Sequence, residues 1–357
     1  MKFTCKLAFA ASVSLLAMAS PVLAENVPTA NEAETKDAPQ LGTFGFDTGG
    51  MDKTVSPADD FYLFANGEWA AKTEIPADKS NYGMFTALDD LSKDRVKLVL
   101  EAEKVRKGSK AGDVYASYID YPAVEKKGLK PIQPWLKQVR GVKSKKAFEK
   151  LLPTAARNGV GALFGCYVGQ DDKNPEVYIF QIAQGGTGLP DRDMYLLEND
   201  KFEGIRKAYK EYLGRMLTLA GEKNAVARGD AIFAMEKKIA EVQWTREDSG
   251  DATKTYNKMT LAQLDGITPG LKMSPVLTKI SPKITEVIVS QPSALTGITK
   301  IYAETDIAVL KDQMLVNSLA AFADVLPDSV SDTSFSFYGT TLQGTPQREP
   351  RWKRGVQ

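Results

Sequence analysis

The clearest helical pattern in this chain covers residues 223–244, which read KNAVARGDAIFAMEKKIAEVQW. The residues that follow three-and-four spacing there are Val226, Ile232, Phe233, Glu236, Ile239, Ala240, Gln243 and Trp244. This spacing places a mostly apolar stripe along one side of an α-helix, and such a stripe is typical of a helix that packs into a protein core. Residues 223–244 are therefore predicted to form a long core helix.

Similar patterns predict further helices on both sides of this segment. They cover residues 91–107, 111–121, 131–140, 144–158, 201–220 and 306–326. A shorter helix is predicted to begin at Phe61, because Ser56, Pro57 and Asp60 provide caps and a helix-starting proline ahead of it. The fold class is therefore predicted to be mainly α.

One region has the composition of β-strands. Residues 162–168 and 176–183 are β-branched, aromatic and apolar runs, and residues 169–175 between them, GQDDKNP, are typical of an exposed loop. This pattern predicts a β-hairpin. The chain shows no internal repeat, so the architecture is predicted to be helical with one small β element.

The composition excludes several kinds of function. The chain has 357 residues, with 46 Lys and Arg against 45 Asp and Glu, and no histidine. Without imidazole there is no Ser/His or Cys/His nucleophile pair, and no zinc site of the histidine-bearing kinds that catalytic zinc normally uses. The charges are also balanced and interspersed, whereas a protein that binds duplex nucleic acid carries a cationic excess. Nucleic acid is therefore not an expected partner.

Residues 1–24 are predicted to be a signal peptide. Lys2 and Lys6 form its basic start, residues 7–20 are apolar, and small residues lead to a cleavage site after Ala24. The apolar stretch is shorter than the roughly 20 residues that a membrane span needs, and no later stretch is continuously apolar. The protein is therefore predicted to be exported, to the periplasm or the extracellular space, without a membrane span in the mature chain.

The mature chain is predicted to start with a flexible leader at residues 25–50, which is rich in Ala, Thr, Glu, Gly and Pro and lacks apolar periodicity. The folded part is predicted to cover residues 51–357. Cys5 leaves with the signal peptide, so Cys166 remains as a single cysteine and no internal disulfide is expected. Because no histidine is available to activate it, Cys166 is predicted to be a buried structural thiol.

Two short patterns have both a catalytic or binding interpretation and a structural one. Asp47, Thr48 and Gly49 match the tripeptide of aspartic proteases, but those enzymes use two such carboxylates and no second copy is present, so a turn is favoured. Residues 185–188, GGTG, lack the Gly-Lys-Ser/Thr of a P-loop and the helix-opening third glycine of a dinucleotide-binding loop. A backbone turn is favoured there too.

Three carboxylate pairs are candidates for calcium binding or for acid–base catalysis. They are Asp59 with Asp60, Asp89 with Asp90, and Asp191 with Asp193. Each pair lies where a helix cap or a first helical turn is expected, and the helix dipole favours acidic residues at that end. Helix capping is therefore the favoured interpretation for all three.

Several stretches, taken together, resemble the neprilysin and endothelin-converting-enzyme family of zinc metallopeptidases. In chain order they are DDFY (59–62), NGEW (66–69), IPAD (75–78), GLPDRDMYL (188–196), KTYNKMT (254–260), FY (337–338) and RWKR (351–354). Each stretch is short, but they follow the family's order over almost the whole mature chain. The disulfide set of the animal members is missing, so the chain looks most similar to the bacterial members.

This resemblance implies a large helical N-terminal lobe of a two-lobed peptidase, which encloses oligopeptide substrates in a cavity between the lobes. In the family, zinc lies in the second lobe, where a helix with His-Glu-x-x-His supplies two imidazoles and a glutamate base. The similarity reaches residue 357 and does not include that helix. No catalytic or metal-binding residue is therefore carried over, and zinc is expected as a cofactor of full-length family members only.

The chain departs from the family's pattern at two positions. Many relatives have an arginine just before a Tyr-Gly pair, where it can face the cavity and pair with the carboxylate of a short peptide. The corresponding residue is Asn81, whose amide lacks the charge and the bidentate geometry of a guanidinium group. Asn81 is thus a candidate substrate-facing residue with a weakened preference for carboxylates. The second departure is Gly250, where relatives often have arginine.

Three functions are compatible with the sequence. The first is the N-terminal lobe of a secreted zinc metalloendopeptidase, incomplete at its C-terminus, inactive alone and exposing apolar surface that relatives bury. In that case residues 351–354 form the first turn of an interrupted helix. The second is a non-enzymatic module that binds peptides or docks on a separately encoded catalytic lobe. The third is an aspartic-type protease that uses Asp47.

Overall fold

The computed structural model describes residues 48–357. The predicted signal peptide, residues 25–47 of the predicted leader, and Asp47 lie outside the described residues. Within the described part, the chain forms two compact units. The first contains residues 48–69, 83–115 and 356–357, and the second contains residues 70–82 and 116–355.

The helices toward the N-terminus of the described chain are α1 (Phe61–Lys72), α2 (Met84–Val105), α3 (Lys110–Ile119), α4 (Tyr121–Lys127), α5 (Gln133–Arg140), α6 (Lys145–Glu149) and α7 (Leu152–Arg157). Those that follow are α8 (Asp193–Leu196), α9 (Asp200–Leu219), α10 (Ala225–Val242), α11 (Arg246–Gly250), α12 (Ala252–Thr255), α13 (Leu261–Ile267), α14 (Ser274–Ile280), α15 (Pro292–Glu304), α16 (Ile307–Ala321), α17 (Asp328–Phe335) and α18 (Arg351–Gly355). The mainly α fold class is confirmed.

In the first unit, α1 begins at Phe61 as predicted, and Asp60 caps it by accepting a hydrogen bond from the Leu63 N–H at 2.9 Å. Helix α2 begins earlier than predicted, at Met84. Asp89 therefore lies inside the helix, where its carboxylate pairs with Lys93 Nζ at 2.9 Å one turn further on. The capping interpretation is wrong for the Asp89 and Asp90 pair, because the helix starts one and a half turns before it.

In the second unit, α9 and α10 pack against each other as two long neighbouring helices. A Cβ atom on Gly229 would lie 3.1 Å from the Gly214 nitrogen, so the absence of a side chain lets the helices approach closely. Helix α10 confirms the long core helix, with Phe233 and Ile239 buried. Val226 is an exception, because its side chain is 73% exposed near the start of the helix.

Two predicted helices are shorter or interrupted in the structure. The predicted helix at residues 144–158 is divided into α6 and α7, since Pro153 lies in the first turn of α7 and has no N–H to continue a single helix. Ser144 caps α6 by accepting a hydrogen bond from the Ala147 N–H at 3.2 Å. The predicted helix at residues 306–326 ends as α16 at Ala321 and is followed by a short 3-10 turn.

The β element is a four-stranded sheet with the order β1-β2-β4-β3. The strands are β1 (Phe164–Asp171), β2 (Asn174–Gln184), β3 (Lys258–Thr260) and β4 (Glu286–Val289). β1 and β2 pair antiparallel and confirm the hairpin, β2 pairs parallel with β4, and β3 pairs antiparallel with β4. The strands extend into the predicted loop, so Asp172 and Lys173 alone connect β1 to β2.

Two hydrophobic clusters form the core of the second unit. One contains Ile182 of β2 and Ile239 of α10, and the other contains Tyr209 of α9 and Ile232 of α10. Helix α10 therefore contributes to both clusters from different sides. Glu236 lies between these sides of α10 and is also buried, with 1% of its surface exposed.

The predicted helical turn after Pro350 is confirmed as α18. Two of its basic side chains contact residues that lie far away in the sequence. The Arg351 guanidinium lies over the Tyr118 ring, 4.6 Å from its centroid. Lys353 Nζ lies 3.5 Å from an Asp78 carboxylate oxygen. The large exposed apolar side chains lie mostly elsewhere, on α1 and α2, and include Phe61, Leu63, Phe85, Leu88, Val96, Val99 and Val105.

The hairpin end of the sheet depends on the Asp171 carboxylate, which gives a testable prediction. Its pKa is lowered to about 2 because the Tyr256 hydroxyl donates to it at 2.7 Å and Lys258 Nζ at 3.0 Å. Because this pKa is lower in the folded protein than the ordinary value of 3.8, the carboxylate stabilises the fold at pH values above 3.8. That stability is lost as the pH falls toward 2. We expect Asp171→Asn to lower the melting temperature at neutral pH and the difference to shrink below pH 3.8.

The matched control is Asp172→Asn, which changes an exposed carboxylate one residue further on. It should leave the melting temperature unchanged over the same pH range. Equal effects of the two substitutions in thermal unfolding followed by circular dichroism would contradict the proposed role of Asp171.

Candidate functional site

A polar cleft of about 540 Å³ lies in the second unit, where the end of β2 meets the end of α10. It is lined by Gln184, Gly185, Thr187, Pro190, Asp191, Arg192, Met194, Gln243, Trp244, Thr245, Arg246 and Ser249. These residues include part of the glycine-rich segment at residues 185–188 and part of the stretch at residues 188–196. The cleft thus brings together motifs that the sequence singled out separately.

A larger groove of about 1030 Å³ runs along the outer sides of α9, α10 and α17. Its lining includes the exposed Val226 and the buried Phe233 of α10, and most of its charged residues are exposed. Lys210 and Asp230 already pair with each other there, at 3.3 Å. The smaller cleft is the better candidate site, because its polar groups converge from several segments of the chain.

Side chains at the ends of β2 and α10 fix two walls of the cleft. The Gln184 side-chain oxygen accepts a hydrogen bond from the Trp244 N–H at 2.7 Å, and its amide nitrogen donates to the Trp244 carbonyl at 3.2 Å. The Gln243 side chain donates to the Gly185 carbonyl at 3.1 Å. The Trp244 indole N–H donates to Ser293 Oγ at 2.7 Å, so the ring also has a fixed position.

The glycine-rich segment forms the third wall and has little free space. Gly186 has a φ of +82°, a conformation that favours glycine. A Cβ atom on Gly188 would lie 1.9 Å from the Tyr209 hydroxyl oxygen. The Gly188 N–H donates to the Tyr195 hydroxyl at 3.1 Å and to Glu236 at 3.2 Å. The segment is therefore a tightly packed turn, in agreement with the favoured interpretation.

The buried carboxylate of Glu236 holds this segment in place. It accepts hydrogen bonds from the hydroxyls of Tyr195 at 2.7 Å and Tyr209 at 2.8 Å, and from the Gln313 amide at 2.8 Å. Gln313 also donates to the Gly186 carbonyl at 2.9 Å. Burial raises the pKa of Glu236, and its four donors oppose this shift. Burial and the nearby carboxylate also raise the pKa of Tyr195 well above its ordinary value.

The polar groups of the cleft are suited to binding the backbone and charged ends of a peptide. Arg192 is anchored by a hydrogen bond from Nε to the Ala240 carbonyl at 3.1 Å, and Arg246 is exposed at the first position of α11. Asp191 adds a carboxylate, and Ser249 Oγ is buried without a hydrogen-bond partner. Two guanidinium groups, a carboxylate and an indole ring can bind a ligand, but they include no activated nucleophile.

The other residues that the sequence singled out lie outside this cleft. Asn81 is exposed in the segment that precedes α2, and its substrate-facing role stays a prediction. Gly250 is the last residue of α11, next to Ser249 of the cleft. Cys166 packs against the core from β1, but it is half-buried rather than buried as predicted, and burial raises the pKa of its thiol.

The two remaining carboxylate pairs have structural roles at helix starts. Asp60 caps α1, and Asp191 accepts a hydrogen bond from the Asp193 N–H at 2.9 Å where α8 begins. Residues 48–357 contain no group of three or more His, Cys, Asp or Glu side chains placed to hold a metal ion. The described residues therefore do not fit a zinc ion of the kind that the resemblance implies, and no catalytic step is assigned to one here.

Comparison with known proteins identifies the family. The pattern described as peptidase family M13 matches residues 57–357, and the chain belongs to this family. It is 33% identical to an endothelin-converting enzyme homolog of Locusta migratoria over 276 residues, which cover 70% of this chain and 37% of that protein. It is 30% identical to endothelin-converting enzyme-like 1 of Rattus norvegicus over 249 residues, which cover 64% of this chain and 32% of that protein.

A solved structure has the same fold. The zinc metalloprotease Zmp1 of Mycobacterium tuberculosis, in complex with an inhibitor, superposes with a TM-score of 0.81 at 30% identity. The match covers 89% of this chain and 49% of that one. The chain thus spans about half of the solved peptidase and less than half of the curated relatives' length. Among residues 48–357, no helix has the length and apolar character that crossing a membrane requires.

The hydrogen bonds of Glu236 give a second prediction. Glu236→Gln replaces one acceptor oxygen with a donor amide, so either the Gln313 amide or the Gly188 N–H faces a donor in place of its acceptor. We expect a loss of about 1–3 kcal/mol in the free energy of unfolding, measured by urea denaturation. Because burial raises the pKa of Glu236, the native protein loses stability as the pH rises above 4.5, and the difference from the variant should shrink.

The control is Glu241→Gln, which changes an exposed glutamate on the same helix. It should alter the free energy of unfolding by less than about 0.5 kcal/mol. A Glu236→Gln protein that is as stable as this control at pH 5 would contradict the role given to the buried carboxylate.

Proposed function

We propose that this chain provides the N-terminal, substrate-enclosing lobe of a zinc metalloendopeptidase that hydrolyses oligopeptides. The observation that carries the proposal is the match of residues 57–357 to peptidase family M13. The likeness to a zinc metalloprotease over about half of that protein's length supports the assignment to one lobe. The cleft at the end of β2 then contacts the peptide substrate, with Arg192 and Arg246 pairing with its carboxylates.

In this proposal residues 1–357 hold neither the zinc ion nor the catalytic base. The chain contains no histidine, and imidazole is the usual ligand of catalytic zinc. The chain alone is therefore proposed to bind peptides without hydrolysing them. The part that would carry zinc is proposed either to continue the same polypeptide or to be a separate catalytic lobe.

The exposed apolar side chains of α1 and α2 support contact with such a lobe. Phe85 is 91% exposed and Val105 is 81% exposed, whereas large apolar side chains of this kind are usually buried. Burying one of them fully contributes about 1.5–3 kcal/mol. The proposed occupant of this surface is the remaining part of the peptidase, since the chain spans only about half of its solved relative.

The proposed location is outside the cytoplasm. It is supported by the basic start, the apolar stretch and the small-residue cleavage site of residues 1–24, which together are typical of a secretory signal peptide. Periplasmic and extracellular location remain equal alternatives within this proposal.

A second candidate is a non-enzymatic module that captures peptides or docks on a partner. It is favoured by one observation, namely that the cleft has groups suited to binding and no activated nucleophile. Reading the gene beyond codon 357 separates the two candidates. An open frame that encodes His-Glu-x-x-His supports the peptidase lobe, and its absence supports the binding module.

The proposal predicts the activity of the purified full chain. With added zinc and a panel of oligopeptides, we expect no cleavage that a chelator abolishes, because the sequence has no histidine and residues 48–357 hold no grouping of metal ligands. The measurement is mass spectrometry of the peptides after incubation. Robust cleavage that stops on addition of a chelator would overturn the assignment, and robust cleavage at low pH that Asp47→Asn removes would support the aspartic-type alternative.

The cleft gives a further prediction about binding. We expect Arg246→Ala to weaken the affinity for acidic oligopeptides at least about tenfold, since one charged hydrogen bond is worth about 1.5–3 kcal/mol. The matched control is Arg215→Ala, an exposed arginine on α9 that lines the larger groove. Titration calorimetry measures both. Equal affinities of the two variants would place the peptide outside the cleft.

A further inference from the structure

Strand β1 lies at one edge of the sheet. It has eight residues, Phe164–Asp171, and β2 is its only strand neighbour among the described residues. In an edge strand, alternate residues direct their backbone N–H and C=O groups away from the sheet, where another extended chain can pair with them. The outer side of β1 therefore presents a row of backbone donors and acceptors.

This edge lacks most of the features by which proteins usually block edge pairing. The sequence FGCYVGQD contains no proline and no lysine, and its one charged residue, Asp171, is the last. The only irregularity in the pairing of β1 with β2 also lies at this end, between Gln170 and Asp171. Gly165 is exposed and has no side chain to cover the strand. Residues 164–169 thus offer a regular and open edge, whereas the Gln170 carbonyl already accepts a hydrogen bond from the Gln181 amide at 3.1 Å.

Exposed side chains next to the edge provide apolar contacts for a bound strand. Val168 lies opposite Phe180 and Gln170 lies opposite Tyr178, so Val168 and Tyr178 lie on the same face of the hairpin. They are 64% and 73% exposed. Tyr167 lies on the other face, and its hydroxyl donates to Gln181 at 2.8 Å, which fixes the ring beside the edge.

The edge begins beside the cleft. A Cβ atom on Gly185 would lie 2.8 Å from the Gly165 nitrogen, so the backbone at the start of β1 packs directly against Gly185. Gly185 also lines the cleft. Gly185 continues β2, so a peptide that pairs with the free side of β1 has one end two strand spacings, about 10 Å, from Gly185.

We propose that the free edge of β1 binds an oligopeptide in an extended conformation, as an added strand of the sheet. The class of ligand rests on the proposed function, because peptides are the substrates of that lobe. The backbone of the peptide exchanges hydrogen bonds with β1, and its side chains on alternate positions contact Val168 and Tyr178 or Tyr167. Such binding depends little on sequence, since backbone groups are common to all peptides.

The experiment uses the full chain and a probe peptide of about eight residues, acetylated and amidated, with alternating valine and threonine and a lysine at each end. A series of variants carries a methyl group on one backbone nitrogen at a time. We expect methylation at every second residue to weaken binding at least about tenfold, or 1.4 kcal/mol, because only alternate N–H groups point toward β1. Methylation at the residues between should change affinity much less.

A substitution in the protein provides an independent test. We expect Val168→Lys to weaken binding of the unmodified probe, and Val177→Lys, at a 42% exposed position on β2, to leave the affinity unchanged. Circular dichroism checks that both variants fold. The methylation series needs no substitution in the protein, so it decides the question even if a lysine variant does not fold.

Several results would overturn the proposal. They are a methylation series without alternation, no binding of the probe at millimolar concentration, or edge-to-edge pairing of two copies that the probe does not displace in sedimentation. Weaker binding of acidic oligopeptides to Arg246→Ala, together with a flat methylation series for the probe, would reject the edge and leave the proposed function intact. If affinity alternates along the methylation series, but the chain joined to its proposed catalytic lobe cleaves no peptide, the edge would be supported and the proposed function rejected.

Discussion

The buried carboxylate of Glu236 is the constraint on which the second unit depends. Helix α10 brings it between two hydrophobic clusters, where an unpartnered charge or acid would cost several kcal/mol. Its donors come from α8, α9, α16 and the glycine-rich segment, through Tyr195, Tyr209, Gln313 and Gly188. Because each donor has to reach the same carboxylate, the positions of these four segments are fixed relative to one another.

The cleft follows from this arrangement. The glycine-rich segment can approach Tyr209 and Glu236 only because Gly188 has no side chain, and it then continues into Asp191 and Arg192 at one wall. The opposite wall is Trp244, whose backbone is held by the side chain of Gln184. The result is a polar site whose walls are held by hydrogen bonds between separate segments of the chain.

The proposed function divides the work between a lobe that binds and a separate part that catalyses. The cleft and the open edge of β1 offer charged groups and backbone groups, which are the two kinds of partner that a peptide needs. Residues 48–357 offer no grouping of metal ligands. The exposed apolar side chains of α1 and α2 lie in the other unit, and they are proposed to face the remainder of a family M13 peptidase.

The sequence alone determined the elements whose causes are local. Apolar spacing identified α10, alternating composition identified the hairpin, and Pro350 marked the start of α18, because periodicity and capping act over a few neighbouring residues. Even so, the capping role predicted for Asp89 was wrong. Helix α2 begins at Met84 without a capping side chain, so the sequence carried no signal for its start. Strands β3 and β4, with three and four residues, gave no pattern of their own.

Tertiary structure alone decided the role of Glu236, the exposure of Val226 and the existence of the cleft. A glutamate inside an apolar stripe has the same local pattern whether it is buried among donors or turned toward water. Its four hydrogen bonds, like the contact between Gln184 and Trp244, join residues that are far apart in the chain. Such contacts depend on where helices and strands meet, and this is set by packing between segments rather than by the sequence of any one of them.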